Sequence, residues 1–546
     1  MVRTYWLVPV FNEASGNLDL QPVARIDYVE ACRPRAMSRT IVRCPRECGA
    51  SKRAYLVLRA ASEARGDERV RAREFDAIVL GAGAPGEVCA GRLADAGLEV
   101  AIVEQHLVGG ECSYYACMPS KALLRPGDVL AEARRVAGVA EAVRGDLDPR
   151  AVLERRDEVV HDLDDSSQLP WLEERGIELF QGVGRLDGER RVAVGDEALA
   201  ARRAVVVATG SGAAMPPIEG LDSVSAWNNR EATTAKEVPA SMIVLGGGPV
   251  GSELAQAWAT LGTTVTLIEG EDRLLPREEP FAGEQVAAAL RERHGVDVRT
   301  GVKAQRVASA EAHPTSTTPE GGETRMGGRG ARVTVELDDG GSLEAEEILV
   351  AVGRKPRTGE IGLESIGVEP GDGGFLETDE GMAVGGRPWL YAIGDVNGRA
   401  LLTHMGKYQA WVAAENVLGR RTEAIAEGLG SPRVTFTDPQ VAAVGRTLKE
   451  AEDARIEATA IDVPTDGVAG ASFQGKGTGG TSRLVVDGAR GVLVGATFAG
   501  FETADFLHAA TVAIVGEVRL DRLRHAVAAY PTRSEVWLKL LEAYGL

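Results

Sequence analysis

Hydrophobic and polar positions along this chain fall into two copies of one pattern. From Glu74, the run Phe75-Asp76-Ala77-Ile78-Val79-Leu80 is apolar enough to predict a short buried strand. It leads into Gly81-Ala82-Gly83-Ala84-Pro85-Gly86, then a helical stretch to about Ala96, then a second apolar run, Val100 to Val103, that ends at Glu104. The same order recurs as a strand from Met242 to Leu245, Gly246-Gly247-Gly248-Pro249-Val250-Gly251, a helix, and Val265 to Ile268 ending at Glu269. Between the two units, residues 128–175 are charge-rich with Ala, Val and Leu at helical spacing, which predicts helices packed on the first unit. Residues 308–332, rich in Thr, Pro and Gly, read as a long hairpin loop or flexible insert. Short β-rich runs, such as Ser482 to Val486 and Gly491 to Phe498, precede terminal helices.

The order of strand, glycine loop, helix, strand and acid has a physical meaning. Gly81, Gly83 and Gly86 permit a tight turn, close approach of a pyrophosphate to the backbone and close helix packing, while the helix N-terminus attracts the phosphate charge. Glu104, 23 residues after Gly81, stands where a carboxylate can bind ribose hydroxyls. Gly246, Gly248, Gly251 and Glu269 repeat the set. Two such units predict an α/β protein with two Rossmann-like dinucleotide-binding domains. Glu269 would accept from the adenosine ribose and repel a 2′-phosphate, which favours NAD over NADP, although Arg273 and Arg277 keep NADP open.

Composition narrows the class. At 546 residues the chain has room for about three or four domains. Its 66 glycines suit several tight turns, and aromatic residues make up only 5%. The formal net charge of −19 argues against a nucleic-acid or anionic-membrane partner, which clustered Lys and Arg would bind. No apolar run reaches the roughly eighteen residues of a membrane span, and the amino terminus lacks the order of a secretory signal, so the cytoplasm is the expected compartment. Residues 1–73 differ: fourteen Lys and Arg against eight Asp and Glu give +6 and leave −25 for the remainder. This basic stretch reads as a flexible arm, or as an upstream extension ahead of a later start at Met37. It holds Cys32 and a Cys44-x3-Cys48 pair, but no second pair or His cluster completes a four-ligand set, so no metal is expected.

Residues 109–121 read Gly-Gly-Glu-Cys-Ser-Tyr-Tyr-Ala-Cys-Met-Pro-Ser-Lys, with Cys112 and Cys117 five positions apart. An ideal helix would hold their Cα atoms roughly 8.7 Å apart, whereas a disulfide usually needs about 4.4–6.8 Å. A pair that closes must therefore bend its helix. A strained disulfide is easier to reduce, and thiolates near a helix start are stabilised by the dipole, which suits a pair that cycles. Two inert, buried cysteines are the alternative reading, since free cysteine packs like a small hydrophobe.

The stretch from Gly109 to Lys121 resembles the flavin-side motif of the pyridine nucleotide-disulfide oxidoreductases, the family of dihydrolipoyl dehydrogenase, glutathione reductase and mercuric reductase. The resemblance implies that Cys117 faces the flavin as the charge-transfer thiol and that Cys112 exchanges with substrate. It also implies that Gly110 lies on the cofactor side and that Lys121, near the flavin ring, pairs with Glu253. It assigns FAD to the first glycine unit and a nicotinamide cofactor to the second. Val205 to Gly210 resembles the stretch that closes the first part of the flavin domain, and Ile348 to Pro356, with Gly353, resembles its counterpart after the nicotinamide domain. Leu390-Tyr391-Ala392-Ile393-Gly394-Asp395 resembles a motif whose aspartate binds the ribityl chain, and Val434 to Gly445 resembles the start of an α+β dimerisation domain. The implied organisation is an extension over 1–73, flavin-domain parts over 74–220 and 351–427, a nicotinamide domain over 221–350 and a dimerisation domain over 428–546.

One position departs from the family pattern. Dithiol-handling members carry a C-terminal His-Pro-Thr-x-x-Glu whose histidine base, oriented by the glutamate, reaches the partner subunit's disulfide. Here the matching stretch is Tyr530-Pro531-Thr532-Arg533-Ser534-Glu535. A phenol titrates near pH 10 and is a poor base at neutral pH where imidazole, near 6.5, is a good one. His313-Pro314-Thr315 falls inside the nicotinamide domain and is a decoy, and neither His404 nor His525 is an obvious substitute. The expected protein is a homodimeric FAD enzyme that passes electrons from NAD(P)H through the flavin to the Cys112–Cys117 pair and on to a small-molecule or metal-ion acceptor. The rival readings are a conventional dihydrolipoyl dehydrogenase, a mercuric-reductase-like metal reductase, against which stands the lack of a C-terminal cysteine pair, and a non-catalytic flavin-binding assembly protein.

Overall fold

The computed structural model describes residues 7–12, 17–22, 72–309 and 332–546, in two units, Met1–Glu68 and Arg69–Leu546. In the first, Leu7–Asn12 pairs antiparallel with Asn17–Pro22. Cys32, Met37, Cys44, Cys48 and the His313-Pro314-Thr315 stretch lie outside the described residues.

The second unit is organised by a seven-stranded, a four-stranded and a five-stranded sheet. In the first of these, Arg73–Leu80 lies between the parallel strands Val100–Glu104 and Glu197–Val207, with Glu178–Gln181 outside one and Leu390–Ala392 beside the other. Ala77 to Leu80 are buried, as a strand covered on both faces requires, which is why the run reads as continuously apolar. Helix α1 (Ala84–Asp95) follows the first glycine loop. Then come α2 (Gly110–Tyr114), α3 (Cys117–Arg135), α4 (Pro149–Val159) and α5 (Leu169–Glu174). After α6 (Asn229–Thr234), the second glycine unit places the strands Asp297–Thr300, Thr264–Glu269, Ser241–Leu245 and Glu347–Val350 side by side, all parallel, with α7 (Pro249–Thr260) and α8 (Pro280–His294) as crossovers. The strands that flank the 308–332 stretch, Ala304–Ser309 and Val333–Leu337, pair antiparallel as the two arms of a hairpin.

The chain then returns to the first sheet: Arg354–Pro356 pairs with Ser211–Ala213, Leu390–Ala392 joins Glu197–Val207, and α9 (Thr403–Val417) packs on α1. The five-stranded sheet is antiparallel, ordered Arg433–Thr435, Gln440–Gly445, Val492–Gly500, Thr481–Asp487 and Ala458–Pro464. Phe498, Phe506 and Trp537 interlock beneath its helices with ring centroids 5.1 and 5.8 Å apart. Among the described residues no helix is long and apolar enough to cross a membrane.

The helices of residues 128–175 do not all pack where the sequence pattern suggests. Leu172 of α5 buries with Ala77, Val79 and Ile102 of the first sheet, as expected. Val152 and Leu153 of α4 instead bury with Val244, Leu254 and Trp258, in the core of the second glycine unit. Arg156 accounts for the difference. It is fully buried on α4 and donates to the carbonyl oxygens of Thr233 and Ala235 at 2.5 and 2.7 Å, with Asp157 at 2.9 Å from its Nε. A buried guanidinium needs such acceptors, so α4 follows the end of α6.

Candidate active site

Both glycine loops close on themselves in the same way. A Cβ on Gly81 would stand 2.4 Å from the carbonyl oxygen of Ala208, and one on Gly86 would stand 1.9 Å from that of Gly81, so any side chain would force strand and helix apart. A Cβ on Gly83, by contrast, would meet nothing within 4 Å. The second loop repeats this: a Cβ on Gly251 would stand 1.8 Å from the carbonyl oxygen of Gly246, and one on Gly248 would meet nothing within 4 Å. At each loop the strand-ending acid stabilises the turn: Glu104 accepts from the backbone N–H groups of Ala82 and His106 at 2.7 and 2.8 Å, and Glu269 from those of Gly247 and Glu271 at 2.6 and 2.8 Å.

Between α1, α2 and the loops after the first sheet lies a cavity of about 810 Å³. Gly81, Gly83, Glu104, Gly110 and Cys112 line it from the first half of the chain, and Gly210, Gly394 and Asp395 from segments that follow. Asp395 accepts from Ser211 Oγ at 2.5 Å and lies 3.4 Å from Arg354 Nε. Gly353 is outside this lining; its carbonyl accepts from the N–H of Ala214 at 2.9 Å, at the return of the chain beside the cavity.

The two cysteines straddle a break in the helix. α2 ends at Tyr114, Tyr115 and Ala116 leave helical geometry, and α3 begins at Cys117 itself. Both cysteines are free thiols here. Thr403, the first residue of α9, places its Oγ1 3.5 Å from Cys117 Sγ. The Cys112 thiol donates to Cys117 and outweighs burial; with Thr403 and the charge of Lys121 it brings Cys117 down to about 6. The same hydrogen bond, joined by burial, pushes Cys112 up. Of the pair, Cys117 is therefore the more acidic thiol, as a position at the start of a 19-residue helix favours.

One turn further along α3, Lys121 Nζ donates to Glu253 Oε2 at 2.7 Å. Glu253 is buried on α7, and its other oxygen accepts from the N–H of Phe436 at 2.8 Å. A single carboxylate thus joins the cysteine helix, the second glycine unit and the C-terminal sheet. Tyr530 and Glu535 stand apart from this group within one chain. Tyr530 is 78% exposed, and Glu535 Oε2 is buried without a hydrogen-bond partner. His404 Nε2 donates to the carbonyl oxygen of Pro432 at 2.8 Å and is not bonded to either cysteine.

Sequence reading missed the ionic cluster around Glu111. Arg230 donates to it at 2.5 Å, Asn229 at 2.9 Å and Arg357 at 3.3 Å. Burial alone would raise its carboxyl, but Arg230 and these other partners hold it at about 2. Thr403 was missed too. Nothing in local spacing links residues 111, 230, 357 and 403, although Glu111 immediately precedes Cys112. Among the described residues no group of His, Cys, Asp and Glu could hold a metal ion.

The family model for pyridine nucleotide-disulphide oxidoreductases matches residues 75–417, and the model for that family's dimerisation domain matches residues 431–541. The chain belongs to this family. It is 33% identical to a dihydrolipoyl dehydrogenase from Thermus scotoductus over 86% of this chain and 97% of that protein. It is 30% identical to one from Bacillus subtilis, covering 86% and 96%, and 29% identical to a mercuric reductase from Staphylococcus aureus, covering 85% and 81%. In fold it is similar to a HOCl-induced flavoprotein disulfide reductase from Escherichia coli, with TM-score 0.73 at 22% identity over 86% of this chain and 99% of that one. LpdA from Mycobacterium tuberculosis gives TM-score 0.73 at 22% identity over 87% and 100%.

The protein is accordingly an FAD-dependent pyridine nucleotide-disulfide oxidoreductase, an enzyme, and its dimerisation domain supports a homodimer. FAD and a pyridine nucleotide are the cofactors expected of the family. The first cavity fits a dinucleotide: it has the size of a ligand pocket, and the open face of Gly83 lets a pyrophosphate approach the start of α1.

Proposed function

We propose that this enzyme is an NADH-dependent, cytoplasmic flavoprotein reductase that uses Cys112 and Cys117 as a redox pair and delivers electrons to an acceptor needing little thiol deprotonation, such as a quinone or a soft metal ion. The observation that carries this is the cysteine pair across the break between α2 and α3, with Cys117 at the start of α3 and Thr403 beside its sulfur. When bound, the flavin supplies the electron chemistry between nicotinamide and thiols. Gly81, Gly83, Gly86, Gly110 and Gly210, with Glu104, Gly394 and Asp395, would hold it. Lys121, oriented by Glu253, stabilises negative charge beside Cys117. Thr403 donates to the Cys117 thiolate, while Cys112 Sγ keeps the second proton. For exchange with an outside disulfide or dithiol, that proton must leave, and Tyr530 is a poor acceptor for it.

Two experiments test this reading. Two-electron reduction should produce a long-wavelength absorbance that fades as the pH falls through about 6, where Cys117 takes up its proton. Cys117→Ser should show no such band, whereas Cys112→Ser, which has no disulfide to reduce and leaves the Cys117 thiolate facing oxidised flavin, should show it without added reductant; the opposite result reverses the two roles. Turnover of a panel of acceptors (lipoamide, glutathione disulfide, quinones, mercuric ion) then identifies the acceptor. No yellow cofactor and no NAD(P)H oxidation with any of them would leave only the non-catalytic reading.

The NADH preference rests on Glu269. Its carboxylate is fixed at the mouth of the second loop, while Arg273 is engaged with Asp272 at 3.2 Å and the carbonyl of Pro276 at 2.9 Å. Gly246, Gly248 and Gly251 would hold the pyrophosphate, with Gly353 where the chain returns. The expected result is a higher kcat/KM for NADH than for NADPH. An advantage for NADPH would reverse the assignment and implicate Arg273 or the exposed Arg277. A mercuric-reductase-like or dihydrolipoyl-dehydrogenase activity is the second reading, favoured by the names of the relatives.

A further inference from the structure

Cys112 sits on a helix that cannot hold it in place unaided. α2 has five residues, follows Gly109 and starts at Gly110, at φ 109° and 65°, has no side-chain cap, and gives way after Tyr114 to Tyr115, outside helical geometry. So short a helix does not recover its nucleation cost in isolation. Its support comes from distant parts of the chain. Glu111, immediately before Cys112 and 16% exposed, accepts from Asn229 Nδ2 at 2.9 Å, from Arg230 Nε and Nη2 at 3.1 and 2.5 Å, and from Arg357 Nη2 at 3.3 Å. Beyond the cysteine, the Tyr115 carbonyl accepts from Asn229 Nδ2 at 2.9 Å and Thr233 Oγ1 at 3.1 Å, and the Tyr115 ring lies 4.5 Å from the Arg230 guanidinium. α6, itself fixed by the Asn228–Glu231 capping box, therefore grips the segment on both sides of Cys112.

We propose that Glu111 is a positioning residue for the thiol pair: through Asn229, Arg230 and Arg357 it holds α2 so that Cys112 Sγ stays within bonding reach of Cys117 Sγ, and it thereby sets the redox equilibrium of the pair. The inference rests on the reading of Cys112 and Cys117 as a redox pair. In exchange with glutathione, a bond forms between the two protein sulfurs, their two electrons and two protons pass to one glutathione disulfide, and that disulfide leaves as two thiols. The more closely the protein thiols are held, the higher their effective concentration and the more the protein disulfide is favoured.

The test equilibrates holoenzyme in glutathione buffers of fixed thiol-to-disulfide ratio, then counts the Cys112–Cys117 disulfide by acid quench, alkylation and mass spectrometry. Wild type forms the disulfide. Glu111→Ala shifts the equilibrium toward the dithiol by about tenfold, which is about 30 mV for a two-electron couple. Glu111→Gln keeps an acceptor for Asn229 and Arg230 and stays within about threefold of wild type. Arg230→Lys keeps the charge but loses the forked contact, so it moves in the direction of Glu111→Ala and decides the matter if that variant does not fold. A wild-type equilibrium in Glu111→Ala, or in Arg230→Lys where Glu111→Ala does not fold, overturns the proposal. An equal shift in Glu111→Gln and Glu111→Ala also overturns it, because the carboxylate would then act by charge alone. A wild type that forms no disulfide at any ratio sinks the redox-pair reading instead.

Discussion

Replacing Tyr530 by histidine is expected to raise NAD-linked dihydrolipoamide oxidation at pH 7 by about 10²-fold or more, the usual range for general-base help being about 10²- to 10⁴-fold. The site is prepared for such a base. Tyr530 is 78% exposed in one chain, so an imidazole there would be free to reach across a dimer, and Glu535 Oε2, five residues on, has no hydrogen-bond partner with which the imidazole would compete. A carboxylate of that kind orients imidazole and raises its basicity. Wild type is expected to oxidise dihydrolipoamide poorly, and Tyr530→Phe to match it, because the phenol takes no thiol proton. Steady-state rates with NAD and dihydrolipoamide check this. Efficient wild-type turnover with no gain in Tyr530→His would restore the conventional dehydrogenase reading.

Lys121→Met is expected to destabilise the protein by about 3 kcal/mol, the low end for breaking a buried pair, since Lys121 is 35% exposed whereas Glu253 is 5% exposed. The loss falls on Glu253, whose charge would be left with the Phe436 N–H as its remaining bond. The same substitution removes a cation that helps lower Cys117, so the long-wavelength band of the reduced enzyme should need a pH above about 6 to develop. Adding Glu253→Gln removes the stranded charge, so it should recover part of the stability and also bring the thiol titration part of the way back down, because the Glu253 charge raises Cys117. Denaturant unfolding and a pH titration of the band check the two effects separately. An unchanged midpoint in both would mean that the pair does not contribute to either stability or thiol ionisation.

Much of the architecture was legible in the sequence because it is local. The strand, glycine loop, helix, strand and acid of each dinucleotide unit are consecutive, and their periodicities and punctuation follow from backbone geometry, so the strands at Arg73–Leu80 and Ser241–Leu245 stand where the apolar runs predict them. The bend between Cys112 and Cys117 was likewise implied by comparing helix geometry with disulfide geometry, and the chain breaks its helix at Tyr115 and Ala116. The pairing of Lys121 with Glu253, 132 residues apart, was legible through a family motif rather than through spacing.

What the tertiary structure alone decided is long-range and electrostatic. Residues 111, 229, 230 and 357 carry no mutual periodicity, yet burial of the Glu111 charge is tolerable only where guanidinium and amide donors converge on it. Thr403 meets Cys117 across 286 positions because α9 returns to the first sheet after the whole second unit has been inserted. α4, helical by its pattern, buries Val152 and Leu153 against the second unit because Arg156 finds its carbonyl acceptors at the end of α6. An amphipathic pattern states that a helix has a face to bury. Which neighbour covers that face depends on where distant polar groups can be satisfied, and only the folded chain brings those groups together.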